Sequence, residues 1–270
     1  MSNFLIQRLV KMMPGLELKL KQTGLAYKPE EFVKKTLLSA FYLTVGFTLF
    51  LFLLLAKLNL AKVVPFVGII LFVILYFYLS RVPDVILTRR DKDISKEIVF
   101  AGRFLVIEIE SGVPLYSAFV NLSRNYETIG KYFKEIIDKV NLGSSIEEAL
   151  DEAVELIPSQ DLKRILWQII NSLKTGSDVA ESLKGVIDQI AREQNIMIKE
   201  YGRKLNPLAM FYMIIAVILP SLGITMLIIL SAFINFEVSL TILILIAVLL
   251  GFLQFMFLST IKFSRPPVEL

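Results

Sequence analysis

Apolar and polar positions along this chain are organised on two scales. On the coarse scale, apolar residues gather in two blocks, Leu37–Leu79 and Pro207–Ile261, with a charged stretch between them. On the fine scale, that middle stretch repeats every three or four residues. A helix crossing the hydrocarbon core needs about 17–25 mostly apolar residues. Four segments reach that range: Leu37–Ala56, Val63–Ser80, Leu208–Ile234 and Val238–Ile261. Pro65 lies in the first turn of the second, where a proline is tolerated. Pro207 at the entry to the third, and Pro220 within it beside Gly223, are expected to kink the helix.

Between the blocks the period is helical. Ile129, Tyr132, Phe133, Ile136, Ile137 and Val140 form one stripe. Ile146, Ala149, Leu150, Ala153, Val154 and Ile157 form a second, and Leu162, Ile165, Leu166, Ile169, Ile170 and Leu173 a third. One apolar stripe per helix predicts a bundle around a shared core. Ser145 followed by Glu148 reads as a capping box. Pro158 ends that helix and Ser159 is placed to cap the next. A final helix starts at Ser177 and meets no breaker before Gly202. About 29 residues at 1.5 Å each give a stalk of roughly 43 Å leading to Asn206-Pro207 at the membrane.

The expected fold is therefore all-α: four transmembrane helices and one antiparallel helical-bundle domain. The predicted organisation is an amphipathic segment at 1–36, spans one and two at 37–80, the helical domain at 81–206, spans three and four at 207–262, and a tail at 263–270. The segment 1–36 has no signal-peptide core, and Phe4, Leu5, Leu9, Val10, Met13, Leu16 and Leu20 make it amphipathic. It reads either as a helix on the membrane surface or as one packed on the main domain.

Charge orients the bundle. Residues 1–36 hold seven Lys or Arg and residues 81–206 hold 18, while the link at Lys57–Lys62 holds two and that at Asn235–Glu237 none. The positive-inside rule then puts both termini and the domain in the cytoplasm. The two external links are too short to form a receptor. The four spans contain no Asp, Glu, Lys or Arg, which speaks against ion-coupled transport.

The chain contains no Cys and no His. Disulfides, thiolate metal sites and histidine acid–base chemistry are thus excluded. No catalytic residue, metal site or cofactor is expected, and no Gly-x-x-x-x-Gly-Lys-Ser/Thr phosphate loop occurs. Glu108 and Glu110 are two apart and point to different sides of a helix.

A short unit recurs inside the domain. Gly112-Val-Pro-Leu-Tyr-Ser-Ala-Phe119 aligns with Gly143-Ser-Ser-Ile-Glu-Glu-Ala-Leu150 and with Gly176-Ser-Asp-Val-Ala-Glu-Ser-Leu183. In each copy a glycine ends a helix, and a cap residue or proline (Pro114 in the first) starts the next. Any helical hairpin uses such punctuation, but three copies at near-equal spacing predict stacked hairpins.

Arg103-Phe-Leu-Val-Ile-Glu-Ile-Glu-Ser-Gly-Val-Pro-Leu-Tyr-Ser-Ala-Phe119 resembles the type II secretion F domain, and the segments 141–150 and 175–183 resemble its later Gly-Ser segments. The resemblance covers about residues 94–200. It implies an inner-membrane platform protein of type II secretion, type IV pilus, tight-adherence pilus or archaeal flagellum machines. One domain with two spans on each side looks most like the TadB/TadC branch. Implied partners are a hexameric cytoplasmic ATPase, pilin or pseudopilin subunits, the lipid bilayer, and a second copy or a second platform chain, with no nucleic acid. The rival reading is a membrane subunit of a transporter or channel.

Two charged sets are candidates for docking the ATPase. The basic set is Arg81, Arg89, Arg90, Lys92, Lys96 and Arg103; the acidic set is Glu147, Glu148, Asp151 and Glu152, with Glu155 beyond. Complementary charge guides encounter and orientation. A solvated helix face also accounts for the acidic set, and lipid headgroups also account for the basic one. Trp167, the only tryptophan, reads either as an exposed anchor for a partner or as part of a second buried face.

Overall fold

A computed structural model describes residues 2–11, 13, 15–25, 27–55, 64–234 and 239–263. The predicted links at 57–62 and 235–237, and the tail from 264, lie outside the described residues. These are all-helical and without strands: α1 (Ser2–Lys11), α2 (Leu16–Gln22), α3 (Pro29–Leu55), α4 (Val64–Ser80), α5 (Val82–Glu110), α6 (Leu115–Asn125), α7 (Thr128–Asn141), α8 (Ile146–Leu156), α9 (Gln160–Thr175), α10 (Val179–Tyr212), a π-helical turn at Met213–Ile218, α11 (Leu219–Ile234) and α12 (Leu240–Phe263). The chain divides into two compact units, residues 1–187 and 188–270.

In the first unit, α3 from Leu37 onward and α4 are apolar on nearly all sides. Phe41, Phe47, Phe50, Phe66, Ile70 and Phe77 all stand exposed. Such a surface fits lipid rather than water, since a helix buries its backbone polar groups internally. Thr44 and Thr48 turn their hydroxyls back to the carbonyls of Ala40 and Thr44, each at 2.7 Å. These two hydroxyls are thus satisfied within their own helix. Gly68 on α4 lets Thr48 approach so closely that an added Cβ would lie 2.8 Å from its methyl.

One residue, Arg81, separates α4 from α5, and Pro83 sits in the first turn of α5. The domain core then assembles from the predicted stripes. Ile94, Ile98 and Leu105 of α5, Phe119 and Leu122 of α6, Ile129, Phe133 and Ile136 of α7, Leu150 of α8, Leu162 and Leu166 of α9, and Leu183 and Ile187 of α10 are buried. Phe119 and Phe133 meet edge to face, with ring centroids 5.0 Å apart, a favoured aromatic geometry.

The three repeat glycines end helices in the left-handed region, with φ of 82° at Gly112, 106° at Gly143 and 68° at Gly176. In each copy the next N–H donates five residues back: Val113 to Glu108, Ser144 to Lys139, and Ser177 to Ser172, at 3.1, 3.2 and 3.1 Å. That bond closes a Schellman motif. Gly24 repeats it after α2, where Leu25 donates to Leu20. Ser145 and Glu148 form the predicted capping box. Ser159 does not act as predicted: it holds the cap position, but its hydroxyl makes no cap bond and is buried without a partner.

The amphipathic N-terminal segment packs on protein. Leu16 and Leu20 of α2 form a small core with Phe32 and Val33 of α3, and Ile6, Leu9 and Val10 of α1 lie against it. Lys19 pairs with Asp84 of α5 at 2.6 Å, and Gln22 donates to the Glu155 carbonyl at the end of α8 at 3.0 Å. The segment is thus in contact with α3, α5 and α8.

Residues 188–270 hold the rest of α10, the π turn, α11 and α12. The predicted stalk runs further than Asn206: α10 continues through Pro207 to Tyr212. The π turn ends just before Pro220. A proline supplies no N–H and crowds the carbonyl four residues earlier, here Ala216. A wider turn relieves that crowding while the helix continues. Tyr212 and Phe257 of α12 meet edge to face at 5.6 Å.

Candidate partner-docking surface

All six basic candidates lie on α5 or at its N-cap, and all four acidic ones lie on α8. Their surroundings separate those available to a partner from those already engaged. Arg90 is engaged. Its guanidinium donates to the Gln22 carbonyl at 2.9 Å, and its charge acts on the Tyr132 phenol of α7. It thus ties α2 to α5. Burial pushes the Tyr132 phenol up, with Arg90 pulling against it.

The acidic set is largely engaged too. Glu148 completes the capping box, Asp151 pairs with Lys174 of α9 at 3.6 Å, and Glu152 pairs with Lys139 of α7. Only Glu147 of the four is both exposed and without a partner among the described residues. The set therefore serves chiefly to join α8 to its neighbours.

The rest of the basic set lies on the surface. Arg81, Arg89, Lys92 and Arg103 are exposed. Lys96 is exposed and pairs with Asp93 at 3.2 Å, one turn away. Trp167 is 57% exposed on α9, which leaves the surface-anchor reading rather than a buried second face.

Sequence reasoning missed one residue altogether. Glu97 of α5 accepts from the N–H groups of Thr128 and Ile129, both at 3.0 Å, at the start of α7. The α7 N-cap, Glu127, makes no side-chain cap bond of its own. A remote carboxylate thus satisfies the first amides and complements the helix dipole. The signal was a Glu, rather than a Ser, Thr, Asn or Asp, at the N-cap. A helix without a local cap calls for one from elsewhere.

Helix α5 also approaches α10 closely. A Cβ on Gly102 would lie 2.8 Å from Cγ1 of Ile187, and Lys184 pairs with Glu110 at 3.8 Å.

Residues 103–227 match the family model described as Type II secretion system (T2SS), protein F. Neither a curated protein nor a solved structure matches the chain. The match begins at Arg103, where the Ser-Gly-x-Pro segment approaches, and runs beyond the bundle through Pro220. The family is one of platform proteins in type II secretion and type IV pilus-like machines, structural rather than enzymatic. Among the described residues four helices are long and apolar enough to cross a membrane. Residues 103–227 are therefore a Type II secretion system protein F domain, borne by an all-helical, multi-pass membrane protein.

Proposed function

We propose that this chain is the inner-membrane platform of a type II secretion or type IV pilus-like machine. In this reading it couples a hexameric cytoplasmic ATPase to the assembly of pilin or pseudopilin subunits in the bilayer. The chain pairs with a second copy or with a second platform chain, in the manner of TadB/TadC. Both termini and the helical domain face the cytoplasm.

The observation that carries the reading is continuity of helix between domain and spans. A single residue, Arg81, links α4 to the 29-residue α5, and α10 runs unbroken from Val179 past Pro207 to Tyr212. A helix is stiff along its axis, so a force on the domain reaches the apolar segments without a slack linker. An enzyme or a binding module has no need of such rods. The predicted spans carry no Asp, Glu, Lys or Arg, so the transporter reading lacks the groups that ion coupling uses.

The test is co-purification of the detergent-solubilised chain with each secretion ATPase encoded beside it, with ATP turnover measured in its presence. Recovery of a hexameric ATPase whose turnover changes on binding supports the platform reading. Recovery of a transport ATPase, or a solute bound by the chain alone, overturns it.

A further inference from the structure

We infer that the outer face of α5 is a docking strip for an acidic, amphipathic helix of another protein. Eight of the nine exposed residues of α5, all but Thr88, fall on one line. Val85, Arg89, Lys92, Lys96, Phe100, Arg103, Ile107 and Glu110 succeed one another at steps of three or four, and every one is exposed. The opposite face of the same helix is the one buried against α6, α7 and α9, through Ile94, Ile98, Ala101 and Leu105.

The strip is not an ordinary solvated face. Phe100 is 66% exposed and Ile107 61%. A lone exposed apolar side chain needs no explanation. Two of them, two turns apart and bracketing Arg103, form the apolar-plus-arginine combination that anchors interfaces. From Arg89 to Ile107 the strip is about 27 Å long, enough for five turns of a partner helix.

Charge selects the occupant. Arg89, Lys92 and Arg103 have no partner among the described residues, and Lys96 adds a fourth cation. A second copy of this chain laid strip to strip would set these cations against their like, which opposes self-pairing. An acidic partner removes that cost and gains the attraction. A lipid surface fits only the first turns. Lys96 lies 16 residues beyond Ser80, the end of α4, and Phe100, Arg103 and Ile107 lie further along a helix that rises 1.5 Å per residue. The headgroup layer is only about 5–8 Å deep on each side. The inference does not depend on which machine the chain serves.

The probe is a fluorescent synthetic helix of about three heptads, with Leu at the a and d positions and Glu flanking them. It is titrated into the full-length chain in zwitterionic nanodiscs. Two control peptides replace Glu by Lys, or Leu by Ser. The acidic, leucine-bearing peptide is expected to bind, with affinity falling as salt rises. Phe100→Ser and Arg103→Glu should each weaken it about tenfold, and Trp167→Ser on α9 should leave it unchanged. All three positions are exposed, and Ile107→Ser gives a second apolar variant should Phe100→Ser fail to elute and show helicity as the parent does. Absence of binding overturns the inference, as does equal binding of either control peptide. So does loss on Arg103→Glu without loss on Phe100→Ser or Ile107→Ser, which would mean charge attraction alone. Displacement of the peptide by anionic vesicles would make the strip a lipid surface and also overturn it.

Discussion

Glu97 shows how much a single side chain can carry when it sits in the right place on a neighbouring helix. Its carboxylate replaces the local cap that α7 lacks. Glu97→Ala should therefore destabilise the domain by about 1–2 kcal/mol, read by denaturant titration with Trp167 fluorescence as the reporter. Glu97→Gln should recover part of the loss, because the amide oxygen still accepts while the charge is gone. Gly130 is a second critical position. A Cβ there would lie 2.7 Å from the Ser123 carbonyl oxygen, a backbone atom that cannot swing aside. Gly130→Ala should cost about 1–3 kcal/mol by overpacking α6 on α7, whereas Gly185→Ala, with open space around it, should not destabilise. Burial raises the phenols of Tyr126 and Tyr132, with Glu97 adding to the first. The folded protein then holds these protons more tightly than the unfolded chain. Stability is unaffected below pH 10 and declines as the unfolded phenols ionise above it. Spectrophotometric titration of Tyr126→Phe and Tyr132→Phe against the parent should show that each phenol removed ionises above the ordinary tyrosine value of 10.0.

At the scale of elements, the domain is assembled by repeating one piece of helix punctuation. Each left-handed glycine lets the chain turn while the following N–H satisfies an orphan carbonyl. Gly143→Ala should cost about 1 kcal/mol by forcing an L-residue to a φ of 106°. The N-terminal hairpin is the other element-level device. Its two helices share a small core with α3, and polar contacts reach α5 and α8. Leu20 is 1% exposed in that core. Leu20→Ala should release α1 and α2 while leaving the main bundle folded. Limited proteolysis would show cleavage near Gly24 in the variant before any cut within α5–α9.

At the scale of the whole molecule, the absence of cysteine is an experimental opening. Single cysteines can be introduced at exposed positions without a competing thiol. Trp167→Cys and Leu142→Cys lie on the helical domain, and Lys57→Cys lies in the sequence between the first two spans. In intact cells a membrane-impermeant maleimide should label Lys57→Cys and spare the other two, with all three labelled after lysis. The reverse pattern would invert the orientation drawn from the distribution of basic residues.

The period of the apolar stripes, the glycines, and the length of the apolar runs determined the all-helical class, the four spans and the punctuation of the domain. Those features are local: a helix stripe or a left-handed turn follows from residues a few positions apart. What tertiary structure alone decided is which charges are engaged. Arg90 and Lys96 look alike in sequence, yet one bonds the end of α2 and the other stays outside beside Asp93. Asp151 and Glu152 look like a docking patch until α7 and α9 present Lys139 and Lys174 to them. Glu97 gains its role from a helix start some 30 residues on. Ser159 loses the cap role its position promised, and the turn before Pro220 widens so that the helix runs on. Partner choice for a charge depends on what packing brings within 3–4 Å. That is set by the crossing of helices distant in sequence, which no local pattern encodes.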